Sequence, residues 1–157
     1  MITEYVSNLP NSVLEEIDKW RHAIRGDEPV TFAMIDELDT SLLSVGPVRD
    51  ALLAYTFAPD DYTYDPSPEA TLNLREFPPN VPLSRVSRTV TFLATFTVDG
   101  GEHSDHAKAL LGYIHWNLRM NSQALDYLEQ IDNPTRLAEL VATAIAMGVP
   151  GHFKLTP

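Results

Sequence analysis

The chain has 157 residues, 11 Lys+Arg against 22 Asp+Glu, a formal net charge of -11 and no cysteine. This length suits one domain with a core that needs no covalent staple. The missing cysteine excludes disulfides, thiolate nucleophiles and Cys-ligated zinc, and the negative balance argues against direct binding to nucleic acid or an anionic membrane.

The N-terminal stretch MITEYVSNLPNS has neither a basic segment nor an apolar one, so no signal peptide is expected. No apolar run approaches the roughly 20 residues a membrane span needs, and the expectation is a soluble, cytoplasmic protein. Residues 1–58 carry a net charge of -6, residues 59–83 of -4 and residues 84–157 of -1. The acidic surface therefore belongs to the first half of the chain.

The first helix is expected from Ser12. Ser12 and Glu15 match the S-x-x-E capping box. Val13, Ile17, Trp20 and Ile24 then fall on one helical stripe, and Gly26 ends it. A second helix is predicted from about Thr31 to Val45, with Ile35, Leu38 and Leu42 on one face and Asp36, Glu37 and Asp39 on the other. Gly46 reads as its C-cap, and Pro47 as the first residue of a third helix to about Phe57 that buries Val48, Leu52 and Tyr55.

Six of the 12 prolines lie between Pro59 and Pro82. Each fixes φ and lacks an N–H, so this segment reads as a long crossover, not a helix. Tyr62, Tyr64, Leu72, Leu74 and Phe77 are the side chains that could pin it, and the alternation at Leu72, Leu74 and Glu76 suggests a short extended piece. Asp60, Asp61 and Asp65 lack the register of a calcium loop and read as exposed acidic residues.

Residues 82–98 give conflicting signals. Val90, Phe92, Ala94, Phe96 and Val98 alternate as in a strand, yet no partner strand is evident, and a helix is expected. A further helix runs from Ser104, as cap, through Met120, with Ala107, Leu110, Leu111, Ile114 and Leu118 inward. Another spans about Ser122 to Ile131. Asn133 as N-cap and Pro134 as first residue open the last helix, whose core face is Leu137, Leu140, Val141, Ala144 and Ile145 and whose stop is Gly148. Connections of two or three residues would make these helices antiparallel neighbours.

The predicted architecture is all-α: six or seven helices in packed antiparallel hairpins, forming one domain over residues 1–157. Helical blocks at about 10–58 and 83–150 flank the proline-rich acidic crossover at 59–82.

Gly112 and Ala124 stand at the spacing of the small residues in a tetratricopeptide repeat, where two helices approach closely, although Lys108 occupies that motif's tryptophan position and no second copy follows. Glu102, His103, Asp105 and His106 form a tight E-H-S-D-H cluster. Imidazole and carboxylate at this spacing are the weak metal candidates of the chain (His103, Asp105 and His106), set against a role at a helix start. His115, beside Trp116, reads as a partly buried helix residue rather than a base, and Arg49 with Asp50 as an ion pair, a helix-dipole carboxylate or a partner contact. No phosphate loop, dinucleotide fingerprint or nucleophile elbow occurs, and no cofactor is implied.

VGPVRDALLA, residues 45–54, and the stretch from Ala107 to Pro150 resemble two phrases in the C-terminal half of an actinobacterial family, domain of unknown function 4192. The matching positions are Arg49, Asp50, Ala109, Leu110, Leu111, Trp116, Ala124, Pro134, Leu137, Ala138, Leu140, Gly148 and Pro150. The family's Gly-Asp turn is replaced here by Met120-Asn121-Ser122, and its extra N-terminal region has no counterpart. The resemblance implies a helical fold and a bacterial, intracellular setting, and brings no activity with it.

The leading functional expectation is a non-catalytic helical interaction or scaffolding module with an unidentified protein partner, for which Arg49, Asp50, His115 and Trp116 are candidate contacts. Homo-oligomerisation is equally open, since a stripe such as Val13, Ile17, Trp20 and Ile24 serves a core or a subunit interface alike. Two alternatives are an acidic mimic of nucleic acid that occupies a basic protein, and a metal-dependent enzyme built on the His103/His106 region.

Overall fold

The computed structural model describes residues 9–67 and 72–157; the N-terminal residues 1–8 and residues 68–71 of the expected crossover lie outside the described residues. The fold is all-α, with seven helices and one pair of very short strands among the described residues. It divides into two units, Met1–Pro78 and Pro79–Pro157. None of the helices described is long and apolar enough to cross a membrane.

The first unit contains α1 (Asn11–Arg25), α2 (Phe32–Asp36), a 3-10 turn at Thr40–Leu42, α3 (Gly46–Phe57) and a 3-10 turn at Leu74–Glu76. α1 packs on α3, burying Val13, Ile17, Trp20 and Ile24 against Val48, Leu52 and Tyr55. The expected stripes of both helices are therefore core. The capping box is not formed. The Pro10 carbonyl accepts from Val13 and Leu14 N–H at 3.0 and 3.2 Å, so the cap lies two residues earlier, with Ser12 inside the first turn and no side-chain cap.

The second predicted helix stops after five residues. Thr31 caps it through Met34 N–H at 3.3 Å. Glu16, a buried carboxylate of α1, then accepts the Asp39 backbone N–H at 2.7 Å. That donor is lost to the helical ladder, and the Asp39 carboxylate accepts from Ser41 N–H at 3.0 Å to start the 3-10 turn. Leu38 and Leu43 are buried as a result, while Ile35 and Leu42 are only half-buried. Gly46 is the first residue of α3, not the C-cap of the helix before it.

The crossover is fastened by Arg25, a residue that no sequence pattern singled out. Its guanidinium donates to four consecutive-region carbonyls: Ala58 at 3.3 Å, Pro59 at 2.8 Å, Asp60 at 2.6 Å and Tyr62 at 3.1 Å. It also lies 5.1 Å from the centre of the Tyr55 ring. The planar fork satisfies carbonyls that a proline-rich segment cannot pair within itself. Tyr62 bridges edge-on between Tyr55 and Phe77, with ring centres 6.3 and 5.0 Å away, and Tyr64 N–H donates to the Tyr55 hydroxyl at 3.1 Å. The extended piece expected at residues 72–76 is instead the 3-10 turn capped by Asn73.

The second unit contains β1 (Asn80–Pro82), α4 (Leu83–Thr95), α5 (Glu102–Asn117), α6 (Asn121–Glu129), α7 (Arg136–Ala146) and β2 (Lys154–Thr156). α5 packs against α4, α6 and α7. The ambiguous segment is a helix as far as Thr95, short of the Val98 expected. Val86, Thr89, Phe92, Leu93 and Phe96 are its buried face, and the Thr89 and Thr91 hydroxyls bond back to the carbonyls of Arg85 and Ser87, so threonines that suggested a strand are accommodated within the helix. Ser104 does not cap α5: Gly101 holds that position with φ +85°, and the buried Ser104 hydroxyl donates to the Thr97 carbonyl at 3.1 Å.

α5 ends in a Schellman turn, with Met120 N–H on the His115 carbonyl and Arg119 N–H on the Trp116 carbonyl, both at 2.9 Å. Arg119 fills the left-handed position usually given to glycine, at φ +63°. Its side chain donates to the Gly151 carbonyl at 2.9 Å. Gly151 is required by closeness: a Cβ there would collide with the carbonyl oxygens of Trp116 and Asn117. Phe153 N–H then bonds the Asn117 carbonyl at 2.8 Å, and the tail continues as β2, parallel to β1 with Val81 opposite Leu155. This strand pair was not anticipated.

Arg25→Lys keeps the charge but replaces a fork by a single ammonium; urea unfolding should show a loss of about 1–2 kcal/mol, and about 3 kcal/mol for Arg25→Met. Burial is the main reason the Glu16 carboxyl titrates above its usual range, and the Asp39 N–H and Lys19 only partly offset it. A raised folded pKa means the native state holds the proton more tightly than the unfolded chain, so the ionised form costs stability as pH rises. Glu16→Gln should therefore gain stability relative to the parent protein as pH rises above the ordinary carboxylate range; a difference independent of pH would contradict this.

Candidate functional site

α5 holds α7 from both ends. At its N-terminal end the buried Asp105 carboxylate accepts the backbone N–H groups of Asp132 and Asn133, both at 3.0 Å. One turn on, the ammonium of buried Lys108 donates to the Gln130 carbonyl at 3.0 Å, at the C-terminal end of α6. At the other end Trp116 Nε1–H donates to the Val149 carbonyl at 2.9 Å. α7 itself starts with Thr135, whose hydroxyl accepts Ala138 N–H at 3.1 Å. Asn133 and Pro134 thus precede the helix and do not begin it. Asn133 donates its own N–H to Asp105. α7 closes with Gly148 at φ +72°, Gly148 N–H on Ile145 and Val149 N–H on Ala144, a second Schellman turn.

Asp105 and His106 line a cleft of about 400 Å³, together with Glu102 and residues 133–136. His106 lies 3.7 Å from the Glu102 carboxylate. His103 is not among the lining residues, and both Asp105 oxygens are engaged. Among the described residues no three His, Asp or Glu stand where they could hold a metal ion. The cluster's carboxylate acts on the α6–α7 connection, not as a cap for its own helix.

The proposed partner contacts are distributed. Arg49 and Asp50 form a half-exposed pair in α3, 3.5 Å apart; beside them burial, then the Asp50 charge, hold the Tyr64 phenol above its usual range. His115 bonds its own helix at the Leu111 carbonyl, 2.7 Å away, and lies against the Tyr127 ring. Trp116 packs beside Tyr113 and uses its N–H for the tail. The second unit also has an exposed apolar face, to which the α5 residues His115 and Trp116 do not belong.

That face belongs to α7. Val141 is buried and Ile145 half-buried, as expected of the core stripe, and Ala138, which was not assigned to it, is buried as well. Leu140, read as core from the sequence, is 57% exposed. With half-buried Leu137 and Ala144, and with Met147 at 74% exposure, it makes a second stripe at i, i+3, i+7 and i+10. The apolar arc of α7 is wider than the surface α5 and α6 offer it. Periodicity marked the arc as apolar but could not show where the neighbouring helices stop. The close approach of α5 and α6 is as the small residues suggested: a Cβ on Gly112 would lie 2.8 Å from Leu128 Cδ2 and 3.5 Å from the Ala124 carbonyl. No protein-family model, no curated protein and no solved structure matches the chain.

Asp105→Ala should destabilise the second unit by about 2 kcal/mol, because two part-buried backbone donors lose a charged acceptor. His106→Ala should change stability by less than about 0.5 kcal/mol. Added zinc should leave the unfolding midpoint of the parent protein unmoved; a zinc-dependent rise abolished by His106→Ala would contradict this assignment.

Proposed function

We propose that the protein is a non-catalytic helical interaction module that docks a polypeptide on the exposed stripe of α7. What supports this reading is the surplus apolar width of that helix. A surface helix normally carries one apolar stripe facing its core, whereas α7 exposes Leu140 and Met147 beside a stripe that is already buried. Exposed apolar surface of this kind marks interaction sites, and methionine suits such faces because its side chain adapts to its neighbour. The turns that anchor α7 make the surface rigid, which lowers the ordering cost of docking.

The tetratricopeptide-like character of α5 and α6 is part of this proposal, supported by the close approach at Gly112 and Ala124. So is kinship with the 4192 family, supported by the structural use of Trp116 at the tail and Gly148 at the end of α7. A bacterial, cytoplasmic setting goes with that kinship.

A photo-crosslinking residue placed at Thr143, an exposed α7 position, should trap a polypeptide in the cells that make the protein. The same group at Asp18, on the acidic first unit, should trap none. Cross-links at Asp18 alone would favour acidic mimicry and overturn this reading, as would the absence of cross-links at Thr143.

A further inference from the structure

We propose that Asp99–Gly100 is a site of spontaneous aspartyl isomerisation, and that the reaction loosens the start of α5. Of the chain's aspartates and asparagines, Asp99 alone is followed by glycine. The pair lies in the turn between α4 and α5, and Asp99 is exposed. Gly100 has φ +71°, and a Cβ built there would meet nothing within 4 Å. Among the described residues no group accepts the Gly100 N–H, and no donor or cation engages the Asp99 carboxylate. Glycine has no side chain to hinder the approach of its nitrogen to Asp99 Cγ. Every other aspartate is followed by a bulkier residue, and several lack a free amide as well. Pro66, after Asp65, has no N–H. Tyr62 N–H, after Asp61, bonds the Pro59 carbonyl at 3.0 Å, and Asn133 N–H, after Asp132, bonds Asp105 at 3.0 Å.

The reaction needs no co-reactant but water. The Gly100 nitrogen attacks Asp99 Cγ and forms an N–C bond, while a carboxyl oxygen leaves as water with the amide proton and the carboxylic acid proton. Water then opens the five-membered imide. Cleavage between nitrogen and Cγ restores aspartate. Cleavage between nitrogen and the backbone carbonyl leaves the chain running through Cβ, as isoaspartate. One water is lost and one returns, so the mass is unchanged. The new backbone holds one extra C–C bond, about 1.5 Å. That length enters a closed loop. The Ser104 hydroxyl donates to the Thr97 carbonyl at 3.1 Å across it, and the Gly101 carbonyl accepts Asp105 N–H at 3.2 Å in the first turn of α5. Asp105 holds the α6–α7 connection from that same turn, so lengthening the loop weakens the hold on Asp132 and Asn133.

The test ages the full chain for several weeks at neutral pH, folded and, in parallel, unfolded in urea. A methyltransferase specific for isoaspartate counts the product, and electron-transfer mass spectrometry places it. In the folded chain isoaspartate should accumulate at Asp99 at least about tenfold faster than at any other aspartate. Its rate there should lie within about threefold of the rate in urea, because an exposed turn with a free amide opens at almost no cost. Asp99→Asn closes the same ring with ammonia as leaving group and should react faster still, whereas Asp99→Ser should give no product at this position. In the isoaspartate form the Asp132 and Asn133 amides should exchange at least about tenfold faster than in fresh protein. Absence of isoaspartate at Asp99 in the folded chain overturns the site. Product at Asp99 with unchanged exchange at Asp132 and Asn133 overturns the link to α5.

Discussion

The buried carboxylate of Asp105 governs the second unit. It sits in the first turn of α5, where the helix dipole favours a negative charge, yet its two acceptors serve the turn that leads into α7. Backbone donors in a tight connection must be satisfied somewhere, and here a single side chain satisfies a consecutive pair. With Lys108 on the Gln130 carbonyl, α5 fixes where α6 ends and where the chain turns toward α7. At its far end Trp116, Asn117 and Arg119 take the chain that leaves α7, and Gly151 lets that chain lie directly on the α5 backbone. The orientation of α7 is thus set by polar bonds at both ends. Its apolar arc did not have to be fully buried to hold it in place, so half of that arc is free for other use.

The first unit solves the same problem with opposite charge. A proline-rich crossover presents carbonyls with few local donors, and the Arg25 guanidinium gathers them. Glu16 does the reverse for a lone backbone donor, the Asp39 N–H. In each case a charged side chain on a regular helix disciplines an irregular segment, and the strong, directional bond of a charged group to backbone replaces the ladder that the segment lacks.

Much of the helical architecture was legible in the sequence, because α1 carries a periodic apolar stripe turned inward and α3 and α5 are apolar runs buried over most of their circumference. Helix starts were less legible. Ser12, Ser104 and Asn133 have the right chemistry for caps, but Pro10, Gly101 and Thr135 hold those positions, since capping depends on backbone geometry that a pattern of residue types does not fix. The truncation of α2 was hidden for another reason: its cause, Glu16, lies on a different helix. Arg25 and Asp105 were invisible as anchors because their partners are backbone atoms, which carry no residue-type signature. Leu140 looked like core because hydrophobicity reports what a side chain would favour, not whether a neighbour is present.

These observations make the C-terminal helices a rigid mount for an uncharged apolar face, with the acidic residues concentrated in the first unit. The most direct measurement is native-state hydrogen exchange at the Asp132 and Asn133 amides. If the Asp105 carboxylate holds the start of α7, these two turn amides exchange only when the unit unfolds, with the protection of core amides such as Leu110. Rapid exchange at both positions, with α7 still protected, would show that the turn opens independently and would contradict the account.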